Sequence, residues 1–156
     1  GMLPLAATVA TEELFECFLH DERSRFFPHG HTFTANPVAC AVGVASLRLT
    51  LERAVPARLD AIGALVHEQL LPLAADPRVR DIRHLGGMAA LDLVVPEGDG
   101  GYLSSRAPTL RRAAIEHGVL LRPLGDVLYA LPPACTTDDE ARRIGQTMRA
   151  LVEAHA

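Results

Sequence analysis

The sequence predicts an α+β fold: a small antiparallel sheet with helices packed on one face. Three observations predict it. Two β-tolerant runs, 78–85 and 88–95, flank Gly86-Gly87 and read as a hairpin. Leu59, Ile62, Val66, Leu70 and Leu73 follow the three-four spacing of one helical face. The order along the chain is helices, hairpin, helix, hairpin, helix, which is not the strict alternation of a parallel sheet.

The elements follow in order. The run 3–10 is apolar and reads as a short buried strand. Thr11 can cap a helix with Glu12 and Glu13 in its first turn, where the helix dipole favours acids. That helix carries Leu14, Phe15, Phe18 and Leu19 and is expected to end near His20. The polar stretch 21–34, with Pro28 and Gly30, reads as an ordered loop. Asn36-Pro37 starts the next helix: asparagine as N-cap, proline in the first turn. It is rich in Ala and Val, includes Gly43, and runs to about Arg53.

A further helix begins near Val55-Pro56, and Asp76-Pro77 ends it. In the hairpin, Val79, Ile82 and Leu85 are expected to point inward while Arg80, Asp81 and Arg83 point out or flank. The stretch 96–101 reads as a surface loop. A helix over 106–117 closes on Gly118, a left-handed C-cap. Two short strands, 119–122 and 127–131, surround a turn at 123–126, and Pro132-Pro133 stops the second. Thr137-Asp138-Asp139-Glu140 is a capping box. The last helix buries Ala141, Ile144, Met148, Leu151 and Val152. Residues 1–35 fit this layer poorly, because a lone strand and helix cannot make a core. They read as a remnant of a larger domain, and 36–156 as a small domain.

Composition narrows the function classes. A chain of 156 residues, 49% hydrophobic and 22% charged, is globular. The net charge of -4 gives no footprint for nucleic acid. No apolar run approaches the ~20 residues of a membrane span, and no basic-then-apolar signal opens the chain, so the expected location is cytoplasmic. Cys17, Cys40 and Cys135 are too few and scattered for a disulfide framework and are expected to be reduced, mostly buried thiols. All 15 Lys+Arg positions are arginine; the chain has no lysine.

Two segments carry candidate chemistry. In the first, His29-Gly30-His31-Thr32 precedes the helix start at Asn36. Backbone N–H groups and a threonine hydroxyl ahead of a helix suit an anion such as phosphate. The same residues also suit a plain turn in which Thr32 acts as a cap. In the second, Arg122 stands at the end of an apolar strand, before Pro123-Leu124-Gly125. An arginine on a rigid strand end suits bidentate carboxylate binding, and Tyr129 on the adjoining strand can reach the same space. The competing reading pairs Arg122 with a local acid such as Asp126.

Weaker signals read as structure. His20, His29 and His31 lack the spacing of a metal site, and no metal is expected. Asp92 in an apolar strand reads as solvent-facing or bonded to a loop. Ser104, Ser105 and Thr109 read as helix-start residues, and Arg111-Arg112 and Arg142-Arg143 as solvated helix faces.

Taken together, HGHTFTANPVACA at 29–41 and GVLLRPLGDVLYALPP at 118–133 resemble the class III pyridoxal-phosphate (PLP) aminotransferases of fold type I. Within that class, Tyr129-Ala130-Leu131-Pro132-Pro133 is similar to the branch of biotin biosynthesis; ω-amino-acid transaminases are the alternative. The resemblance covers nearly the whole chain but only the C-terminal part of the family's length. It implies the small domain of an α/β family fold, following a remnant of the large PLP-binding domain.

The resemblance also implies residue roles. Gly30 would line the substrate pocket, and His31 and Thr32 would contact the PLP phosphate of a neighbouring subunit. Arg122 would hold the substrate carboxylate, beside Tyr129. The family's catalytic lysine, which holds PLP, has no counterpart here, so no catalytic residue is assigned. Arginine stays protonated and cannot replace it. The expectation is therefore a fragment that is inactive and binds no PLP by itself. It is expected to self-associate, or to pair with an N-terminal fragment encoded upstream, with no nucleic-acid or membrane partner. A non-catalytic binding or dimerisation module is the alternative.

Overall fold

The computed structural model describes residues 2–95, 100–101 and 104–155. Contacts divide the chain into two compact units, Gly1–Arg53 and Ala54–Ala156. This break follows the helix that Asn36 starts, whereas the domain boundary expected from the sequence precedes it.

The first unit contains α1 (Glu12–Glu16) and α2 (Pro37–Glu52). Thr11 caps α1 by accepting from the Leu14 N–H at 3.3 Å. Asn36 caps α2 by accepting from the Ala39 N–H at 3.0 Å. Both caps follow the sequence reading. Three expectations need correction. The run 3–10 forms no strand and is exposed, Val9 at 94%. A strand needs a paired neighbour for its backbone groups, and among the described residues none pairs with it. The first helix stops at Glu16 rather than near His20. So short a helix is marginal without a packed face. Cys17, Cys40 and Cys135 are free thiols but exposed, not buried. Among the described residues of this unit only Ala39 is buried, so Cys17 and Cys40 have no core to enter.

The second unit is built on a three-stranded antiparallel sheet in the order β1 (Val79–Leu85), β2 (Met88–Leu93), β3 (Val127–Ala130). Leu85 pairs with Met88, leaving Gly86-Gly87 as the predicted two-residue turn; at this end of the hairpin Leu85 is 85% exposed, not inward as expected. Ile82, Leu91 and Leu128 stand abreast on the core face. On the opposite face Arg83, Ala90 and Tyr129 stand abreast. Helix α3 (Val55–Leu70) packs on the sheet and on α5 (Asp138–His155), and α4 (Arg106–Glu116) packs on α5. Ile62, Val66 and Leu70 of α3 are fully buried, as are Met148, Leu151 and Val152 of α5. Each such side chain contributes about 1.5–3 kcal/mol.

Polar groups finish the ends. The Thr137 hydroxyl accepts from the Glu140 N–H at 3.3 Å, and the Glu140 carboxylate accepts from the Thr137 N–H at 2.7 Å, which is the expected capping box. On the uncovered sheet face Asp81 and Asp92 are cross-strand neighbours. Arg83 bridges these like charges at 2.9 and 2.7 Å, and Arg80 reaches Asp92 at 3.3 Å. Arg83 in particular holds the Asp92 carboxyl below its ordinary range. Asp92 therefore sits on the face away from the core, tied to charge.

One predicted strand is absent. Residues 119–122 form none; a single bridge, Leu124 to Val127, joins the turn. The start of the segment is committed to closing α4: Val119 N–H donates to Ala114 O at 3.0 Å and Gly118 N–H to Ile115 O at 2.9 Å. That is a Schellman closure, with Gly118 at φ +75. Pro123 then lacks the N–H that a ladder would use. The loop expected over 96–101 lies largely outside the described residues.

Gly63 on α3 allows the hairpin turn to seat. A Cβ there would collide with the Gly86 carbonyl oxygen and lie 2.8 Å from the His84 ring. Gly63→Ala gains about 1 kcal/mol of helix propensity but costs up to about 3 kcal/mol in overpacking. A net loss of stability of about 2 kcal/mol is expected in urea unfolding.

Asp76 accepts from the Arg78 backbone N–H and Nε, both at 2.9 Å, and from Nη2 at 2.8 Å; Arg78 Nη1 reaches Glu153 O of α5 at 3.1 Å. These bonds, the Arg78 side chain first, lower the Asp76 carboxyl from 3.8 to about 2. A depressed carboxyl stabilises the fold above its unfolded value, and the gain is lost as pH falls through the folded one. Unfolding midpoints should therefore drop between pH 3.8 and about 2, and Asp76→Asn should flatten that part of the profile.

Candidate functional site

The second segment places its arginine by alternation. After the Gly118 closure, Val119 and Leu121 turn into the core, while Leu120 and Arg122 face out. Buried Pro123 then anchors the turn, in which Leu124 N–H donates to Val127 O at 2.8 Å and Val127 N–H returns to Leu124 O at 3.1 Å. The turn leads into β3, where Leu128 and Ala130 are buried and Tyr129 takes the opposite face.

Arg122 and Tyr129 thereby line one cavity of about 750 Å³, with Leu131, Pro133, Glu140 and Arg143. The structure brings together the two residues expected to bind substrate in this unit. The pairing of Arg122 with Asp126 is not formed. Asp126 lies 3.9 Å from Arg80 instead. Among the described residues no acid forms an ion pair with Arg122.

Two charged residues of this wall were not foreseen as site residues. Arg143 reads in sequence as a solvated helix position, and Glu140 as a cap. Arg143 Nη2 donates to His117 O at 3.2 Å, which fixes the guanidinium beside the end of α4. Bonds from the Thr137 backbone and hydroxyl hold the Glu140 carboxyl below its ordinary range. The cavity so carries two guanidiniums against one carboxylate, which favours an anionic ligand. The signal available in the sequence was the one-turn spacing of Glu140 and Arg143 on α5.

Gly30, His31 and Thr32 belong to the first unit and are all exposed. His31 N–H donates to the Thr34 hydroxyl at 3.0 Å, and Thr34 N–H donates to His31 O at 2.9 Å. The His31 ring accepts from Phe33 N–H at 3.2 Å. Thr32 is the residue of this turn whose hydroxyl has no partner among the described residues. Ala35 closes the turn at φ 56, a left-handed conformation that costs a non-glycine residue about 1–2 kcal/mol. A Cβ at Gly30 would meet nothing within 4 Å, so nothing in this chain demands glycine there. Among the described residues no group of three His, Cys, Asp or Glu side chains is placed to hold a metal ion. No helix is long and apolar enough to cross a membrane.

A family profile described as aminotransferase class-III matches residues 1–152. An adenosylmethionine-8-amino-7-oxononanoate aminotransferase of Synechococcus elongatus is 45% identical over 148 residues, 92% of this chain and 33% of that protein. One of the same name from Geobacter sulfurreducens is 38% identical over 144 residues, 90% of this chain and 32% of its own length. The chain thus spans about a third of the length of the curated relatives it matches. The crystal structure of the same-named enzyme from Methanocaldococcus jannaschii superposes with a TM-score of 0.83 at 28% identity, over 99% of this chain and 36% of that one. A PLP-bound amine transaminase from an uncultivated Pseudomonas species superposes with a TM-score of 0.75 at 29% identity, over 87% of this chain and 32% of its own. With its profile match, its relatives and its sheet-and-helix layer in agreement, the chain belongs to the class-III aminotransferases.

Proposed function

We propose that this chain supplies the carboxylate-binding arm and a phosphate-contact turn of a PLP-dependent aminotransferase of biotin biosynthesis. The reaction would move the amino group of S-adenosylmethionine to 8-amino-7-oxononanoate, in the cytoplasm. The observation that carries the reading is Arg122, a guanidinium without an acidic partner in the cavity that Tyr129 lines. Relatives named for that reaction support the choice of substrates. Tyr129 with Pro132 and Pro133 favours it over the ω-amino-acid branch.

The fit to PLP is divided. The Thr32 hydroxyl, without a partner in a turn just ahead of α2, suits a phosphate oxygen. The chain has no lysine, so it offers no amine for covalent attachment. When bound, PLP supplies the electron sink that amino transfer needs. This chain's own share is binding and orientation. Arg122 holds and orients a substrate carboxylate through its planar fork of donors. Arg143 adds positive charge to the same wall, and Tyr129 shapes its other side. The reactive amine has to come from a lysine-bearing segment outside this sequence.

The first unit supports an assembled state. Phe15, Phe18, Phe26, Phe27 and Phe33 are all exposed. So much apolar surface is covered in a working protein, either by a second copy or by the lysine-bearing segment. Light scattering of the chain alone should show self-association; a strictly monomeric species counts against this part of the reading.

Calorimetric titration of the chain with each substrate tests the role of Arg122. Arg122→Ala should weaken binding of both by about 10–100-fold, the loss of a charge-assisted contact. Equal affinities for the variant and the parent chain would overturn the reading.

A further inference from the structure

We propose that Arg111, Arg112 and Arg122 form a second anion site, for a phosphate-class oxyanion, that competes with the carboxylate cavity for Arg122. The inference rests on the reading of Arg122 as carboxylate-binding and adds a regulatory ligand to that site.

A second cavity of about 460 Å³ shares Arg122 with the first. Arg111, Arg112 and Arg122 line it above an apolar floor of Pro108, Ile115 and Pro123. Pro108, Arg111, Arg112 and Ile115 follow the three-four-seven spacing that puts them on one face of α4. The face is held in place from behind: Leu110, Ala113 and Ala114 of the same helix are buried in the core. The backbone at Arg122 is held in the same way, between buried Leu121 and buried Pro123.

Charge makes the cavity an anion site. Its walls carry three guanidiniums and no carboxylate. Among the described residues none of the three forms an ion pair. Elsewhere in this unit Arg58 is matched to Asp138, Arg78 to Asp76 and Arg83 to Asp81 and Asp92, while Arg106 and Arg143 donate to backbone carbonyls. Gathering three unmatched like charges in one concavity is unfavourable until an anion enters, and an oxyanion with several acceptor oxygens can meet three donor forks at once. The cavity admits one small ligand, and a chain of net charge -4 offers no wider basic surface for a polyanion. The apolar floor allows the oxyanion to be free or to be the phosphate of a monoester with a small organic body.

Arg122 is the one guanidinium that lines both cavities. The fork carries a single positive charge, so an oxyanion held on one edge neutralises it and repels a second on the other edge. Occupancy of the α4 site therefore withdraws it from the carboxylate site.

The test is calorimetry on the full chain at matched ionic strength. Inorganic phosphate should bind saturably, and Arg111→Gln/Arg112→Gln should weaken it at least about tenfold. Arg111→Lys/Arg112→Lys, which keeps the charge, should retain part of the binding. Saturating phosphate should lower the affinity for 8-amino-7-oxononanoate in the parent chain but not in the double glutamine variant. Tighter binding of phenyl phosphate than of inorganic phosphate would identify a monoester as the ligand; the reverse order would identify the free ion. Phosphate binding that is equal in the parent chain and the double glutamine variant overturns the site. Phosphate binding without any effect on 8-amino-7-oxononanoate overturns the competition. Failure of 8-amino-7-oxononanoate to bind at all overturns the reading of Arg122, and with it the competition, while the phosphate site stands on its own titration.

Discussion

Helix α3 is enclosed by the sheet and by α5, and Ile62, Val66 and Leu70 have no solvent exposure between them. Gly63 lets the hairpin turn come close enough for its carbonyl to occupy the space of a side chain. The sheet can then meet α3 only through its Ile82, Leu91 and Leu128 face. Tyr129 is consigned to the opposite face by the two-residue period of the strand. The cavity wall is thus a by-product of how the core is filled, and its geometry is as rigid as that core.

Electrostatics completes what packing begins. The outward sheet face gathers Asp81, Asp92 and Asp126 around Arg80 and Arg83. Because these acids are claimed there, Asp126, the acid nearest to Arg122 in the sequence, is already engaged. An arginine whose backbone is held by buried neighbours and whose guanidinium has no ion pair among the described residues is left available to an external anion.

Much of the second unit was legible because local rules and tertiary packing agree there. The three-four spacing on α3, the Gly86-Gly87 turn, the closure at Gly118 and the Thr137–Glu140 box each point to the element that forms. The first unit was less legible. Its segment 3–10 has the apolar character of a buried strand, but a strand is defined by a neighbour, and among the described residues none pairs with it. The missing strand at 119–122 has a different cause: its first backbone donor, at Val119, is spent on closing α4, which residue-type reading does not reveal. For the site, Arg122 stood out at the end of an apolar run, and Tyr129 on the adjoining strand. Arg143 and the pair Arg111-Arg112 did not, because an arginine on a helix surface looks solvated until the neighbouring element shows which side is concave.

The closure of α4 has a consequence for how this stretch can vary. Gly118 sets the phase of the residues after it, and buried Pro123 sets the phase at the other end. Between these two fixed points an even-odd count decides which side chains enter the core and which meet solvent. A change of residue type at Leu120 or Arg122 leaves that count intact. A single insertion or deletion would exchange inside for outside, sending the guanidinium toward the core and an apolar side chain into the cavity. The spacing from glycine to proline therefore acts as a reading frame for the binding face, tolerant of substitution and intolerant of length.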